Sequence, residues 1–269
     1  MRIRMFIVAL GLALSACGET SGADATKARA ELMRIEALSQ QLPLMAIDAA
    51  GGNVDAFAAL EHARDGIAGM LTQLKQQGRG ERGMAEFEAA WSTVNGNVVK
   101  VLAAKAEVLA GVEIADELNS KLPVLDARLE ELAKMLAERP GASKQVLLVM
   151  REMLLADRIR RRIQTIQQGG QDSAAAADGV TRDAKFYGVV LAGLSKGDAD
   201  FDLKALSDPG ARALVDDVNT QWTELAPSIA KIAGAAPGLQ SLREATDNLR
   251  VDSGTLLLRA DPLFQRYNK

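Results

Sequence analysis

Six leucines, Leu118, Leu122, Leu125, Leu129, Leu132 and Leu136, recur at steps of 4, 3, 4, 3 and 4 within the stretch ADELNSKLPVLDARLEELAKMLAERP. Alternating steps of three and four keep one line of side chains on one face of an α-helix, which turns every 3.6 residues; a strand needs a period of two. A seam of that length has to be covered by another helix. The cover is either a neighbouring helix of the same chain or a second subunit.

The remainder of the chain has the same character. Apolar residues make up 48 % of it and aromatic residues only 4 %, while Ala, Leu, Glu, Lys, Gln and Arg dominate. These residues lose little rotamer freedom in a helix. Val, Ile, Tyr and Trp never gather into alternating runs, so no sheet is expected. Periodicity and turn residues place helices at 27–50, 53–76, 83–110, 113–138, 142–168, 173–195, 206–233 and 238–259. Gly51-Gly52 and Gly169-Gly170 suit helix C-caps, QQGRGERG (76–83) and PGAS (140–143) are turns, and residues 196–210 form a longer loop.

The chain also repeats itself. A shift of 118 residues superposes Gly51-Gly52 on Gly169-Gly170 and Arg64-Asp65 on Arg182-Asp183, whereas Trp91 and Trp222 lie 131 apart and Pro123 and Pro237 lie 114 apart. Two copies of a four-helix unit with a longer middle loop in the second account for this order. The expected fold class is therefore all-α, with two tandem four-helix-bundle modules of long helices at 27–140 and 141–262.

The N-terminus reads as an export signal. Arg2 and Arg4 precede an apolar run from Met5 to Leu14, followed by Leu14-Ser15-Ala16-Cys17. The run is shorter than the roughly 20 residues that a membrane helix needs. Its ending resembles a bacterial lipoprotein signal, with residues 1–16 removed and Cys17 lipidated; an ordinary signal peptide with an incidental cysteine is the alternative. Gly18 after the cysteine favours the outer membrane, and residues 17–26 are expected to be a flexible tether. Cys17 is the one cysteine of the chain, so its lipidation leaves no thiol for a disulfide.

The charge excludes some functions. The net charge is −3, and it becomes −5 without residues 1–16. That balance argues against nucleic acid as the partner. His62 is the one histidine, and no second His or Cys completes a metal site. Glu130-Glu131 and Asp216-Asp217 are adjacent pairs that diverge on a helix, so they suit acid–base chemistry poorly. GRGERG lacks the strand, Lys and Ser/Thr of a phosphate loop. Phe186-Tyr187, Trp91 and Trp222 are expected in the core. No catalytic residue and no cofactor is expected.

The most charged stretch is LLADRIRRRIQTIQQGGQDS (154–173). On a helical wheel Leu148, Leu155, Ile159, Ile163 and Ile166 form an apolar stripe, and Arg151, Arg158 and Arg162 line one edge of it. These arginines lie on a solvated face and pair with Asp157, Glu152 and their neighbours, or they form a site for an anion or an acidic partner, which forked guanidinium donors suit.

The segments ALSQQLPLMAIDAAGGNVDAFAALEHARD (37–65) and LLADRIRRRIQTIQQGGQDSAAAADGVTRDAKFYGVVLAGLSKGDA (154–199) resemble the two halves of the periplasmic ligand-sensing region of PilJ-type receptors, the methyl-accepting transducers of type IV pilus systems. They are also similar to the sensor domain of NarX-type nitrate/nitrite kinases, over roughly residues 30–260. The resemblance implies tandem helical bundles on the periplasmic side, often dimeric. Nitrate sensors of this kind grip the anion with an arginine of the first helix. In the first module here Glu36 and Gln41 stand around Ser39-Gln40, and Arg34 is the nearest basic residue; in the second module Arg158 holds the matching position.

The chain ends on DPLFQRYNK, with no second apolar span or methylation helices after the bundle. The expected function is that of an exported, lipid-anchored sensor or binding protein on the periplasmic face of the envelope. It would serve a pilus, chemosensory or receptor system through a protein partner, with a small anionic ligand and a homodimer as further possibilities. The alternative is a structural lipoprotein acting as a helical spacer.

Overall fold

The computed structural model describes residues 16–77, 83–200 and 203–267. Within them the chain forms eight helices and no strand: α1 (Ala16–Ala50), α2 (Val54–Gln77), α3 (Met84–Ala103), α4 (Lys105–Ala137), α5 (Ser143–Gln167), α6 (Ser173–Lys196), α7 (Pro209–Gly234) and α8 (Ala236–Tyr267). The all-α class read from periodicity is thus the fold observed. The leader expected over residues 1–16 lies outside the described residues except for Ala16. Residues 17–26, expected as a tether, continue the helix of α1; the run ADATKARAEL that follows Gly22 is rich in helix formers and supports that extension.

One helix boundary departs from the expected position. A break was expected beside Gly111, but α4 runs through that glycine and the interruption falls at Ala104. Gly111 is buried within α4, and a Cβ there would meet Ile232 Cδ1 at 3.4 Å, an ordinary contact. Ala104 itself keeps right-handed helical dihedrals (φ −78°, ψ −1°), as does Ala235 between α7 and α8 (φ −79°, ψ −9°). Helical hydrogen bonding resumes at once on both, with Val108 N–H donating to the carbonyl of Ala104 and Leu239 N–H to that of Ala235.

That local geometry decides which helices pack together. The helices gather into two compact units, and these are not the consecutive halves 27–140 and 141–262. Unit 1 takes residues 1–49, 53–102 and 246–269, and unit 2 takes residues 50–52 and 103–245. Unit 1 therefore combines α1, α2 and α3 with the C-terminal part of α8, and unit 2 combines α4, α5, α6 and α7 with the start of α8. Each is a four-helix bundle. The fourth helix of each sequence copy has joined the bundle of the other copy, because α3 cannot fold α4 back on itself through a residue that stays helical.

Each core follows from the apolar stripes. In unit 2 the six leucines of the α4 seam are at most 2 % exposed. They pack inside the chain, against α5 and α7. In unit 1, Leu32, Leu42, Leu60, Ile67, Phe87 and Leu256 are buried to 1 % or less. Asn97 of α3 donates to Asp252 of α8 at 2.8 Å. Complete burial of a leucine contributes about 1.5–3 kcal/mol, so the two stripes dominate the stability.

The hairpin turns carry the strictest steric demand. Gly169 sits at φ +65°, and a Cβ there would lie 2.3 Å from the carbonyl oxygen of Leu239; Gly170 has nothing within 4 Å. Replacement of Gly169 by alanine is expected to lower stability by about 2 kcal/mol or more, and the same change at Gly170 by less than about 0.5 kcal/mol, in urea unfolding of the two variants. Equal losses would remove Gly169 as the constrained position.

Candidate functional site

The arginine stretch falls on α5 of unit 2, and the structure gives its members different neighbours. Arg158 donates to Asp183 of α6 through Nε at 2.7 Å and Nη2 at 2.5 Å, a forked bond, and Arg162 donates to the same carboxylate through Nη1. The Asp183 side chain is only 8 % exposed. Its bond to Arg158 holds that guanidinium more firmly protonated than usual. Arg162 reaches Asp183 by lying over Gly179, where a Cβ would stand 2.5 Å from its Cζ. Arg151 stays apart from this fork, its Cζ 4.8 Å from the ring centroid of Phe186. Phe186 is consequently half-buried under a guanidinium and not a core residue as expected, whereas Tyr187, Trp91 and Trp222 are buried.

Asp183 is thus an acceptor shared by two cations, and any external anion at Arg158 and Arg162 competes with it. The first hairpin has no such fork. By the 118-residue shift, Gln40 and Leu44 replace the two arginines, and Asp65 pairs with its neighbour Arg64 at 2.8 Å on the surface. Arg34 is exposed on α1.

The polar groups that sequence reasoning missed lie inside unit 2. Glu152, expected as a surface partner of the arginines, is fully buried, and both of its carboxylate oxygens lack a hydrogen-bond partner. The reason is register. The buried stripe of α5 begins at Val149, not Leu148, and continues through Glu152, Leu155 and Ile159, so Glu152 occupies a core position. Burial lifts its carboxyl to about 9 against the opposing pull of Arg151, so the group is a neutral acid at pH 7. The Tyr187 hydroxyl of α6 is also buried without a partner. Burial, then the nearby Glu152 and Asp126, raise it well above the usual phenol range. Its ring packs 4.1 Å from that of Trp222 on α7. The signal for this cluster was present in the sequence as one carboxylate inside the apolar spacing of α5.

Asp126 of α4 connects this interior to the surface. Its Oδ1 is buried and unpartnered. Burial raises its carboxyl, with Arg160 opposing and Asp157 adding to the shift. Asp126 also lines an open groove of about 300 Å³ between α4 and α5, walled by Leu122, Pro123, Ala127, Met153 and Ala156. Unit 1 holds buried unpartnered oxygens of its own at Glu31, Ser39 and Ser253. No group of three or more His, Cys, Asp or Glu side chains able to hold a metal occurs among the described residues. Among the described residues no helix is long and apolar enough to cross a membrane. His62 is exposed.

No protein-family model matches the chain. Among curated proteins, it is 31 % identical over 268 residues to a protein of Alcanivorax borkumensis named "Putative methyl-accepting chemotaxis AlkN", covering 98 % of this chain and 39 % of that protein. It is 28 % identical over 239 residues to Protein PilJ of Pseudomonas aeruginosa, covering 85 % of this chain and 35 % of that protein. The chain thus spans less than two fifths, or about that share, of the length of these relatives. Both support its relation to the PilJ-type chemotaxis transducer family, the resemblance read from residues 37–65 and 154–199.

Two predictions follow from the geometry of this unit. Because the folded state keeps Glu152 protonated up to about 9 and an unfolded glutamate titrates near 4.5, its contribution is fully present below pH 4.5 and is lost as pH rises toward 9. Thermal unfolding should show stability falling across that window by up to about 1.4 kcal/mol per pH unit, and Glu152→Gln should flatten the dependence. Asp183→Ala strands two guanidiniums and should cost about 1–3 kcal/mol, against under about 0.5 kcal/mol for Asp65→Ala in the other hairpin.

Proposed function

We propose that the chain is an exported, lipid-anchored sensor or binding protein of the cell envelope. It serves a type IV pilus, chemosensory or receptor system by binding a ligand or partner without catalysis. The observation that carries this reading is the alignment of 98 % of the chain with a putative methyl-accepting chemotaxis protein. The interior of unit 2 supports the binding part, because a solid spacer has no use for a buried unpartnered carboxyl at Glu152 or for an open groove lined by Asp126. An anion is the ligand that Arg151, Arg158 and Arg162 would take, in competition with Asp183. The Leu-Ser-Ala-Cys17 ending supports the lipid anchor on the periplasmic face, and Gly18 supports the outer membrane.

The second reading, a structural envelope lipoprotein acting as a spacer, draws on the long helices and the well-packed leucine seam. Two measurements separate the readings. Labelling with a fatty-acid analogue is expected to mark the wild-type chain and not Cys17→Ser, with the label in the outer-membrane fraction. In-cell cross-linking is expected to recover a chemosensory or pilus-system protein of the envelope. Label retained by Cys17→Ser removes the anchor, and cross-links confined to cell-wall or bulk membrane components favour the spacer.

A further inference from the structure

Helix α1 carries two rows of uncharged residues on opposite sides, both at steps of three and four. The first, Leu32, Ile35, Ser39, Leu42, Ala46 and Ala49, is buried in unit 1. The second, Ala30, Met33, Ala37, Gln40, Leu44 and Ile47, is turned from the first by about 200°, and every member of it is exposed. Met33, Leu44 and Ile47 are 56, 65 and 54 % exposed. The side of a helix opposite its core seam is ordinarily its charged side. Here no charge falls on the row from residue 30 to residue 47, about 25 Å of helix. Helix α5 is different: its outward row starts apolar at Leu147, Met150 and Leu154 but then reaches Arg161, which pairs with Asp157. One seam of α1 is therefore covered inside the chain, and the other has the pattern of a seam that a further helix covers.

The charges beside the outward row select its cover. On a helical wheel Lys27, Arg34, Gln41 and Asp48 follow one edge at steps of seven, and Arg29 and Glu36 follow the other. Side by side with a parallel copy of itself, the row would bring unlike edges together, Arg29 against the second copy's Arg34 and Glu36 against its Gln41, with repulsion and no ion pair. Side by side with an antiparallel copy, like edges meet. In the register that overlaps the whole row, Lys27 then faces Asp48 at both ends and Arg34 faces Gln41. The same register sets Met33 against Leu44, Ala30 against Ile47 and Ala37 against Gln40, so that small side chains oppose large ones. Because unit 1 already holds α1 as a helix, association does not bear the cost of forming one.

We propose that the outward face of α1 is a docking surface for a second copy of this chain, paired antiparallel, with Met33 against Leu44 and Lys27 against Asp48. This goes beyond the sensor reading and requires neither a bound ligand nor the Cys17 anchor.

The test uses the full chain carrying Cys17→Ser, which leaves it without a native thiol. Sedimentation equilibrium over a range of concentrations is expected to show monomer and dimer in exchange. Leu44→Glu should weaken the dimer by about tenfold or more with unchanged circular dichroism, whereas Leu154→Glu, on the exposed row of α5, should leave it intact. Lys27→Asp should weaken it as well, and Asp48→Lys added to that variant should restore it. For orientation, Met33→Cys and Leu44→Cys chains are oxidised separately and as a mixture; the mixture should give the mixed disulfide, and neither chain should link efficiently to itself. A monomer at every concentration, association that survives Leu44→Glu, or Met33→Cys linking to itself in preference to Leu44→Cys overturns the proposal. If the chain is monomeric while cross-linking in cells still recovers a chemosensory partner, the pairing falls and the sensor reading stands.

Discussion

A helix that does not turn cannot pack on the helix before it. Ala104 and Ala235 keep helical dihedrals where a compact four-helix unit would reverse, and the grouping of all eight described helices follows from this. The apolar stripe of α4 then has to be covered by α5 and α7, not by α1 and α2, and the C-terminal stripe of α8 is covered in unit 1. Hydrophobic burial supplies the energy, but it is non-directional and would accept several pairings. The backbone at two residues selects one of them.

Within that frame the two hairpins have diverged in polarity. The second carries a cross-helix fork from Arg158 and Arg162 to Asp183, with Gly179 leaving room for the guanidinium, while the first keeps its aspartate on the surface beside Arg64. The second also encloses Glu152 and Tyr187 without hydrogen bonds. Buried polar groups in that state cost free energy and are tolerated where something other than stability is served. Unit 1 holds buried unpartnered oxygens too, at Glu31, Ser39 and Ser253, so the shared carboxylate of the arginine fork and the groove lined by Asp126 are why the candidate site is assigned to unit 2.

Much of the helical content was legible, because steps of three and four and paired glycines are local signals. The α4 seam and the hairpin turns at Gly51-Gly52 and Gly169-Gly170 agree with the structure for that reason. The grouping of the helices was not legible. Nothing in the side chain of Ala104 or Ala235 announces whether the chain turns, and the repeat itself suggested the consecutive halves. In the site, the arginine row was visible as a charge run, but its acceptor Asp183 stands 21 to 25 residues away and needs the α5–α6 hairpin to bring it near. Glu152 was misplaced by one position of register at Val149, enough to move a carboxylate from surface to core.

The exchange of fourth helices also bears on inheritance. The stretch that was copied in the sequence is not the stretch that folds together, so neither copy is a portable cassette. A crossover near Pro140-Gly141 would import a fourth helix fitted to one lineage into a core shaped by another. Chains of this kind should therefore diverge by paired drift across both copies, and shuffling of a single copy between relatives should be rare.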